Sequence, residues 1–306
     1  MSPTQPPGAW RRLFQSRVAQ VSAGLLGAIL FLAAFGPALF HTDPHTPTPE
    51  QFLEPSRAHF FGTDMNGRDL FARVLEGARI SLVVGFAGAI ISLVVGAGYG
   101  MVAGYIGGRT DSIMMRAVEI IYAIPRLILI ILANVVFDPM LKRTVAPLFN
   151  GALVGYTRVL IIILALGLIE WLTMARIVRG QVLTLKTQQF VLAARSLGQS
   201  HARIILRHLL PNILGIVVVY LTLTIPAVIL DESFLSFLGL GIQPPQASWG
   251  SLLSDGALTI NPIKSYWWLI FFPGLAMAST LLSLNFLGDA LRDALDPRAR
   301  SKTRRP

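Results

Sequence analysis

Three charged side chains lie at a depth in the apolar runs of the sequence where such a group is by default a functional candidate. They are Glu119, Arg126 and Glu170. Each costs about 2.5–3.5 kcal/mol at the centre of a membrane helix. Glu119 and Glu170 lie near the ends of their runs, so an interfacial position reached by water is the simpler interpretation for both. Arg126 lies deeper, which favours a charged partner or a water-filled passage. We predict that Arg126, with Glu170 as the second candidate, lines a passage.

Enzymatic chemistry is not indicated anywhere in the chain. It contains no cysteine, which excludes disulfides, thiolate metal sites and cysteine catalysis. The glycine-containing stretch 62–69 is not a phosphate-binding loop, because the G-K-[ST] ending of that motif is missing. We predict instead that Thr63 and Asp64 cap a helix that starts near Gly67. We therefore predict a protein that is not an enzyme, with no catalytic residue, no metal and no cofactor.

The composition indicates a membrane protein. Hydrophobic residues make up 53% of the chain and charged residues 14%, whereas charged residues are about 25% of a soluble protein. The net charge of +10 would suggest nucleic acid as the partner of a soluble protein. In a membrane protein, basic residues collect in cytoplasmic loops instead, so we expect contact with membrane lipid and not with nucleic acid.

Six apolar runs approach the roughly 20 residues that cross a bilayer as a helix. They cover about 18–40, 80–106, 113–136, 153–175, 213–230 and 266–287. With the N-terminus inside, 17 lysines and arginines fall in cytoplasmic segments and 7 outside, so both termini are predicted to be cytoplasmic. The first run is longer than the apolar core of a signal peptide, about 7–15 residues, and is interpreted as a retained span.

The most informative stretch is the polar interruption 189–211, QFVLAARSLGQSHARIILRHLLP, which cannot be absorbed into hydrocarbon. Its pattern predicts two short helices separated by Gly198. Phe190, Ala194 and Leu197 are predicted to form the apolar face of the first helix.

In the second helix of this stretch, Ser200 is the predicted N-cap. Ile205 and Leu209 are expected to form an apolar stripe beside a basic stripe of Arg203 and Arg207. Pro211 is predicted to close the element. Such a pair of helices is suited to a groove on a partner protein, or equally to the membrane surface with its arginines on lipid phosphates.

A resemblance favours the first interpretation. The sequence AARSLG at 193–198, followed by Leu210-Pro211, resembles the coupling loop of ABC-importer permeases, whose pattern is E-A-A, three residues, G, nine residues, I, one residue, L-P. This chain departs from the pattern at Leu192, where the family has Glu, and at His208, where it has Ile. The stretches 59–82, 231–256 and 291–298 are similar to further motifs of permeases of the dipeptide, oligopeptide and nickel class.

This resemblance implies an all-α polytopic fold with six transmembrane helices, the type I ABC-importer transmembrane domain. It also implies the partners, namely a second homologous permease, two ABC ATPase subunits and an extracytoplasmic solute-binding protein, in a bacterial inner membrane. The substrates would most simply be peptides, with nickel or another small solute as the alternative. The residues of the ATPase-coupling loop would be Leu192, Ala193, Ala194, Arg195, Gly198, Ile205, Arg207, Leu210 and Pro211.

Glycines at steps of four define a further feature, namely Gly96, Gly100, Gly104 and Gly108. G-x-x-x-G repeats let a second helix backbone approach closely, so we predict a helix-packing ridge. A ligand site is the weaker interpretation.

The expected organisation is a cytoplasmic tail (1–17), a first transmembrane helix (18–40), an extracytoplasmic loop carrying the family's N-terminal signature (41–78), a type-1 transmembrane domain (79–287) and a basic cytoplasmic tail (288–306). The segment 137–151 is expected to be an outer loop. A secondary transporter is the alternative from another class, since Glu170 and Pro226 would suit one, but no internal repeat is evident in the sequence. A scaffold protein would explain the glycines but not the coupling loop.

Overall fold

The computed structural model describes residues 16–40, 43–148 and 156–295. Its helices are α1 (Arg17–Phe40), α2 (Leu70–Ile106), α3 (Gly108–Tyr122), α4 (Arg126–Leu148), α5 (Thr157–Leu185), α6 (Gln189–Ser196), α7 (His201–Ile204), α8 (Leu210–Phe237), α9 (Trp249–Leu258) and α10 (Trp268–Leu295). A π-helical turn, Ile205–Leu209, joins α7 to α8 without a break.

Five described helical stretches are long and apolar enough to cross a membrane: α1, α2, α5, the continuous α7–α8 and α10. The helices α3 and α4 meet at 85°, and together they supply a sixth crossing if the pair is counted as one bent span. The predicted third span, 113–136, is therefore interrupted between Tyr122 and Arg126. The break occurs beside Pro125, whose ring clashes with the preceding turn and which has no N–H to donate.

Several helices are longer than the apolar runs predict. The helix of the fifth span continues to Phe237 and that of the sixth to Leu295, and the helix that contains the second span begins at Leu70, close to the start predicted near Gly67. Residues 137–148 also belong to α4, so most of the predicted outer loop 137–151 is helical; residues 149–151 lie outside the described residues. Hydropathy locates the apolar part of a helix, but helical hydrogen bonding continues into polar sequence where neighbouring helices support it.

The most extensive helix contact among the described residues joins α2 to α5 and involves three of the four predicted ridge glycines. A Cβ on Gly96 would come within 2.6 Å of Met174 Cβ, and one on Gly104 within 2.9 Å of the Arg179 carbonyl oxygen. A Cβ on Gly100 would collide with the carbonyl oxygen of Ala175. At these positions backbone meets backbone, so no side chain fits.

Gly108 does not share this contact. It lies beyond the end of α2, has φ +57°, and an added Cβ would meet nothing within 4 Å. The four-residue spacing of glycines therefore extends beyond α2, and Gly108 allows the turn into α3 because glycine readily adopts a positive φ. Polar contacts close this end of the α2–α5 pair instead: Arg179 donates to Asp111 at 2.5 and 2.7 Å, and Lys186 Nζ donates to the Gly104 carbonyl at 2.8 Å.

The segment before α2 is organised by carboxylates. Asp69, and not Thr63 or Asp64, is the N-cap of α2, accepting from the Ala72 N–H at 2.9 Å. Asp64 instead accepts from Arg68 and Arg73 at 2.8 and 2.7 Å.

On the same segment, His59 donates to Asp69 at 2.8 Å and contacts Glu50 at 3.2 Å. The hydrogen bond to Asp69 raises the pKa of His59 above its ordinary value. The extracytoplasmic loop predicted at 41–78 is thus tied to the start of α2 by ionic contacts over its described part.

The glycine contact can be tested by a matched pair of variants. Gly100→Leu should destabilise the protein by about 1–3 kcal/mol or more, because bulk is forced between two backbones. Gly98→Leu adds the same side chain two residues away, where a Cβ meets nothing within 4 Å, and should change stability by less than about 0.5 kcal/mol. Thermal unfolding in detergent measures both; equal effects would contradict the packing argument.

Candidate functional site

The first part of the candidate site is the predicted coupling loop, residues 189–211. Gly198 follows α6 with φ +70°, and its N–H donates to the Arg195 carbonyl at 2.9 Å. The N–H of Gln199 donates to the Ala194 carbonyl at 3.1 Å. These two bonds form a Schellman motif, which ends a helix with a residue in the left-handed conformation. The chain therefore stops at the glycine where the sequence pattern predicts it.

One side of α6 packs on the chain itself. Val191 and Ala194 are buried against the ends of α2 and α5, whereas Phe190 and Leu197 are 41% and 80% exposed. Of the predicted apolar face, only Ala194 is therefore covered by the chain, and Phe190 and Leu197 are left open to a partner. Both sides of the helix carry apolar side chains, so periodicity cannot tell which side packs on the chain itself.

The second helix of the coupling loop does not end at Pro211. From His201 it passes through the π turn into α8, and the Leu210 N–H donates to the Ile205 carbonyl. The wider turn accommodates a proline, which lacks the N–H of an α-helical register and would clash with the carbonyl four residues earlier. Ser200 occupies the N-cap position, but its side chain makes no capping hydrogen bond.

The apolar stripe of this second helix also differs in part. Ile204 and Leu209 are fully buried against α2 and α5, while Ile205 is only partly buried. Arg203 and Arg207 are exposed, as a basic stripe requires.

Tyr105, at the end of α2, holds both short helices and was not singled out by the sequence pattern. The Arg195 guanidinium lies 4.8 Å from the centre of its ring, a cation–π contact. Its hydroxyl shares a 2.9 Å hydrogen bond with His201 Nδ1. The only signal in the sequence is an aromatic residue directly after the glycine ridge, which by itself indicates nothing about the coupling loop.

The two departures from the family pattern have different surroundings. His208 Nε2 donates to Gln199 Oε1 at 2.9 Å, which ties the second helix to the turn before it. Leu192 is half exposed and lies on the outer side of α6. Together with Phe190, Leu197 and the exposed Leu206, it forms an apolar surface that the described chain leaves uncovered, beside the exposed arginines. We call these four residues the exposed face of the coupling loop.

The second part of the candidate site is a charged triad at membrane depth. The Arg126 guanidinium contacts the carboxylates of both Glu170 and Asp231, so one residue from each of α4, α5 and α8 meets at one point. The sequence singles out Arg126 and Glu170 but not Asp231, which it places at the outer end of the fifth run. Because α8 continues to Phe237, Asp231 lies within the helix.

The triad is not sealed from its surroundings. The side chains of Arg126, Glu170 and Asp231 are 40%, 14% and 25% exposed in this chain. Charged surface at this depth cannot face hydrocarbon without a large cost, so it must face water or another subunit. The third sequence candidate, Glu119, lies exposed on α3 and does not join the triad.

A buried carboxylate near the C-terminal end of α8 has a different, positioning role. Glu232 is fully buried and accepts hydrogen bonds from Ser81 and Ser236 at 2.8 and 2.7 Å. Ser236 in turn accepts from the Ile242 N–H at 2.9 Å. The hydroxyls fix α2, α8 and the following turn to one another, which fits the place of Glu232 in the motif at 231–256.

The triad can be tested by removing one charge or all three. Arg126→Leu leaves two adjacent carboxylates without a counterion, and should lower the free energy of unfolding by an amount between the ~1 kcal/mol of an exposed pair and the ~3–5 kcal/mol of a buried one. The triple change of Arg126, Glu170 and Asp231 to Leu should recover most of that loss, because no unpaired charge remains. Thermal unfolding in detergent measures both variants; a triple variant as unstable as the single one would contradict this account.

Comparison with known proteins places these features in a family. A model of the binding-protein-dependent transport system inner membrane component matches residues 96–301, and one of the N-terminal TM domain of oligopeptide transport permease C matches residues 8–57. The chain is 46% identical over 293 residues to the dipeptide transport system permease protein DppC of Bacillus subtilis, covering 95% of this chain and 85% of that protein. It is 44% identical to the oligopeptide transport system permease protein OppC of Haemophilus influenzae, covering 95% and 88%.

A solved structure shares the fold. An inward-facing conformation of the MetNI methionine ABC transporter matches with a TM-score of 0.55 and 19% identity, over 74% of this chain and 98% of that chain. The helical architecture predicted from the sequence, a type I ABC-importer transmembrane domain, is confirmed by this match and by the five or six candidate spans. This chain belongs to the family of binding-protein-dependent transport system inner membrane components.

Proposed function

We propose that this chain is one permease subunit of an ATP-driven importer, and that it couples ATP hydrolysis in a partner to the uptake of peptides. The observation that carries the proposal is the coupling loop. Its inner side is fixed to α2 and α5 by buried side chains and by Tyr105, while its other side presents Phe190, Leu192 and Leu197 to the surroundings.

The exposed face of the coupling loop suits a groove on an ABC ATPase subunit. An apolar helix face inserted into a groove supplies affinity, and flanking charges orient it. Of the residues assigned to the loop, Leu192, Ala193 and Arg207 are exposed and would make the contact, together with the exposed Arg203 of the basic stripe. Ala194, Arg195, Gly198, Ile205, Leu210 and Pro211 would hold its shape. Two ATPase subunits, one beneath each permease, complete this arrangement.

The passage would form between this chain and a second homologous permease. The partly exposed triad supports that geometry, because its charges need a watery or protein surface beside them. Arg126, Glu170 and Asp231 would then line this chain's half of the passage. The triple-leucine variant separates this role from a purely structural one, since it should remain folded and lose uptake.

Peptides are the proposed substrates because the related permeases are named for dipeptide and oligopeptide transport. An extracytoplasmic solute-binding protein would deliver them, in keeping with the family description. The chain would open the passage alternately to the two sides as the ATPases close and open.

The distribution of basic residues supports an orientation in which both termini and the coupling loop would be cytoplasmic. Reporters fused after Arg300 and inserted at Gln199 should be cytoplasmic, and one inserted at Thr48 should be external. Paired alkaline phosphatase and green fluorescent protein fusions measure this. An external reporter at Gln199 would overturn both the topology and the coupling role.

The coupling role can be tested at Gly198. An added Cβ there meets nothing within 4 Å, so Gly198→Val acts through the left-handed backbone alone, at about 1 kcal/mol or more. The turn should change its angle, and the loop should no longer fit the ATPase. We expect normal amounts in the membrane, loss of ATPase subunits during purification and loss of peptide uptake.

Gly239→Val is the matched control for this experiment, because Gly239 has φ +74° and an equally open surrounding but lies after α8, at the other end of that helix. It should retain the ATPase subunits. Leu192→Ala should do less damage than Gly198→Val, since it removes one apolar contact among several. If Gly198→Val retained the ATPase and full uptake, the loop would be a lipid-surface element.

A further inference from the structure

A recess with a few polar groups lies between the same elements that form the triad. It has a volume of about 170 Å³ and is lined by Ile131, Asn134, Val135, Asp138, Pro139, Arg158, Gly239 and Leu240. These residues come from α4, α5 and the turn after α8. We call it the upper pocket.

The upper pocket lies about two helical turns beyond the triad on α4. Asn134 follows Arg126 by eight residues in α4, a distance of about 12 Å along a helix. Gly239 likewise follows Asp231 by eight residues. Both sites are therefore formed by α4, α5 and α8 with the turn that follows it, and a solute that passed the triad would also pass the pocket.

The pocket presents two buried hydrogen-bonding atoms of opposite kind. Arg158 Nη1, a donor, and Asn134 Oδ1, an acceptor, have no hydrogen-bond partner among the described residues. The rest of each side chain is held in place: Arg158 Nε lies 3.7 Å from Asp138 Oδ2, and Asn134 Nδ2 donates to the Leu240 carbonyl at 3.4 Å. Buried polar atoms are normally paired, so these two point to a ligand that carries both an acceptor and a donor.

We propose that the upper pocket binds the main chain of a peptide in transit, with Arg158 donating to a carbonyl oxygen and Asn134 accepting from an amide N–H. An amide carries this acceptor and donor whatever its side chain. Asp138 also lines the pocket, with its carboxylate beside Arg158, and the walls formed by Ile131, Val135 and Leu240 are apolar. This inference rests on the proposed import of peptides and adds where, and by which atoms, this chain contacts them.

Replacing single amides by esters tests the contact directly, because an ester lacks the N–H. The complete transporter in proteoliposomes is supplied with solute-binding protein saturated with trialanine, or with trialanine in which one amide is an ester. Wild type should take up trialanine about two- to ten-fold faster than one of the two esters, the effect of one hydrogen bond. Asn134→Leu should remove that difference.

Arg158→Leu should lower trialanine uptake by a similar factor. Arg143→Leu is its matched control, because Arg143 is an exposed arginine of the same helix as Asn134 and does not line the pocket; it should leave uptake unchanged. An Asn134→Leu variant that still discriminates the ester as wild type does would overturn the proposal. Loss of the second permease from the purified Arg158→Leu complex would overturn it too, since the pocket would then be a subunit contact.

The proposed function fails in a different way. If wild-type transporter took up neither trialanine nor its esters, peptide import itself would be refuted, together with the pocket's role. Uptake of trialanine and both esters at equal rates by wild type would leave peptide import standing and refute the pocket alone.

Discussion

The backbone contact between α2 and α5 is the constraint on which the rest of the structure depends. Three glycines remove the side chains that would hold the helices apart, so the carbonyls of α5 lie directly against α2. In a membrane, where no hydrophobic effect drives helices together, such close van der Waals packing is a main source of association. One end of this pair supports the coupling loop through Tyr105 and Val182, and α5 also contributes Glu170 to the triad.

Charge in the membrane imposes the second constraint. A lone arginine at this depth is costly, and one arginine between two carboxylates leaves a net negative group instead. The contacts within this one chain compensate these charges only in part, since the triad remains partly exposed. The chain is therefore suited to an assembly, because exposing the polar surface of α4, α5 and α8 is favourable only beside water or a second subunit.

Much of the fold can be predicted from the sequence, and the misses have physical causes. A step of four identifies Gly96, Gly100 and Gly104 because close packing leaves a periodic signature. The depth of Arg126 predicts that it has a charged partner but not which residue that is. Asp231 reaches Arg126 only through the tertiary structure, and no fixed spacing in the sequence indicates the pair.

At the coupling loop the sequence is informative about the turn and less so about the faces. Gly198 is predictable because its backbone conformation excludes most other residues. The buried side of α6 is not, because one apolar side packs on the chain and the other is left for a partner. The continuation through Pro211 depends on a π turn, which hydropathy does not indicate.

That π turn has a mechanical consequence. It makes the second half of the coupling loop and the fifth span a single rod of 37 residues, His201–Phe237, about 56 Å long at 1.5 Å per residue. Such a rod transmits force as a lever does: a tilt of roughly 10° about its midpoint moves each end by about 5 Å in opposite directions. Asp231 lies near the far end of this helix, so a push on the loop would displace the triad. The π turn and Pro226 are points between them where the regular α-helical hydrogen bonding is interrupted and the helix can bend.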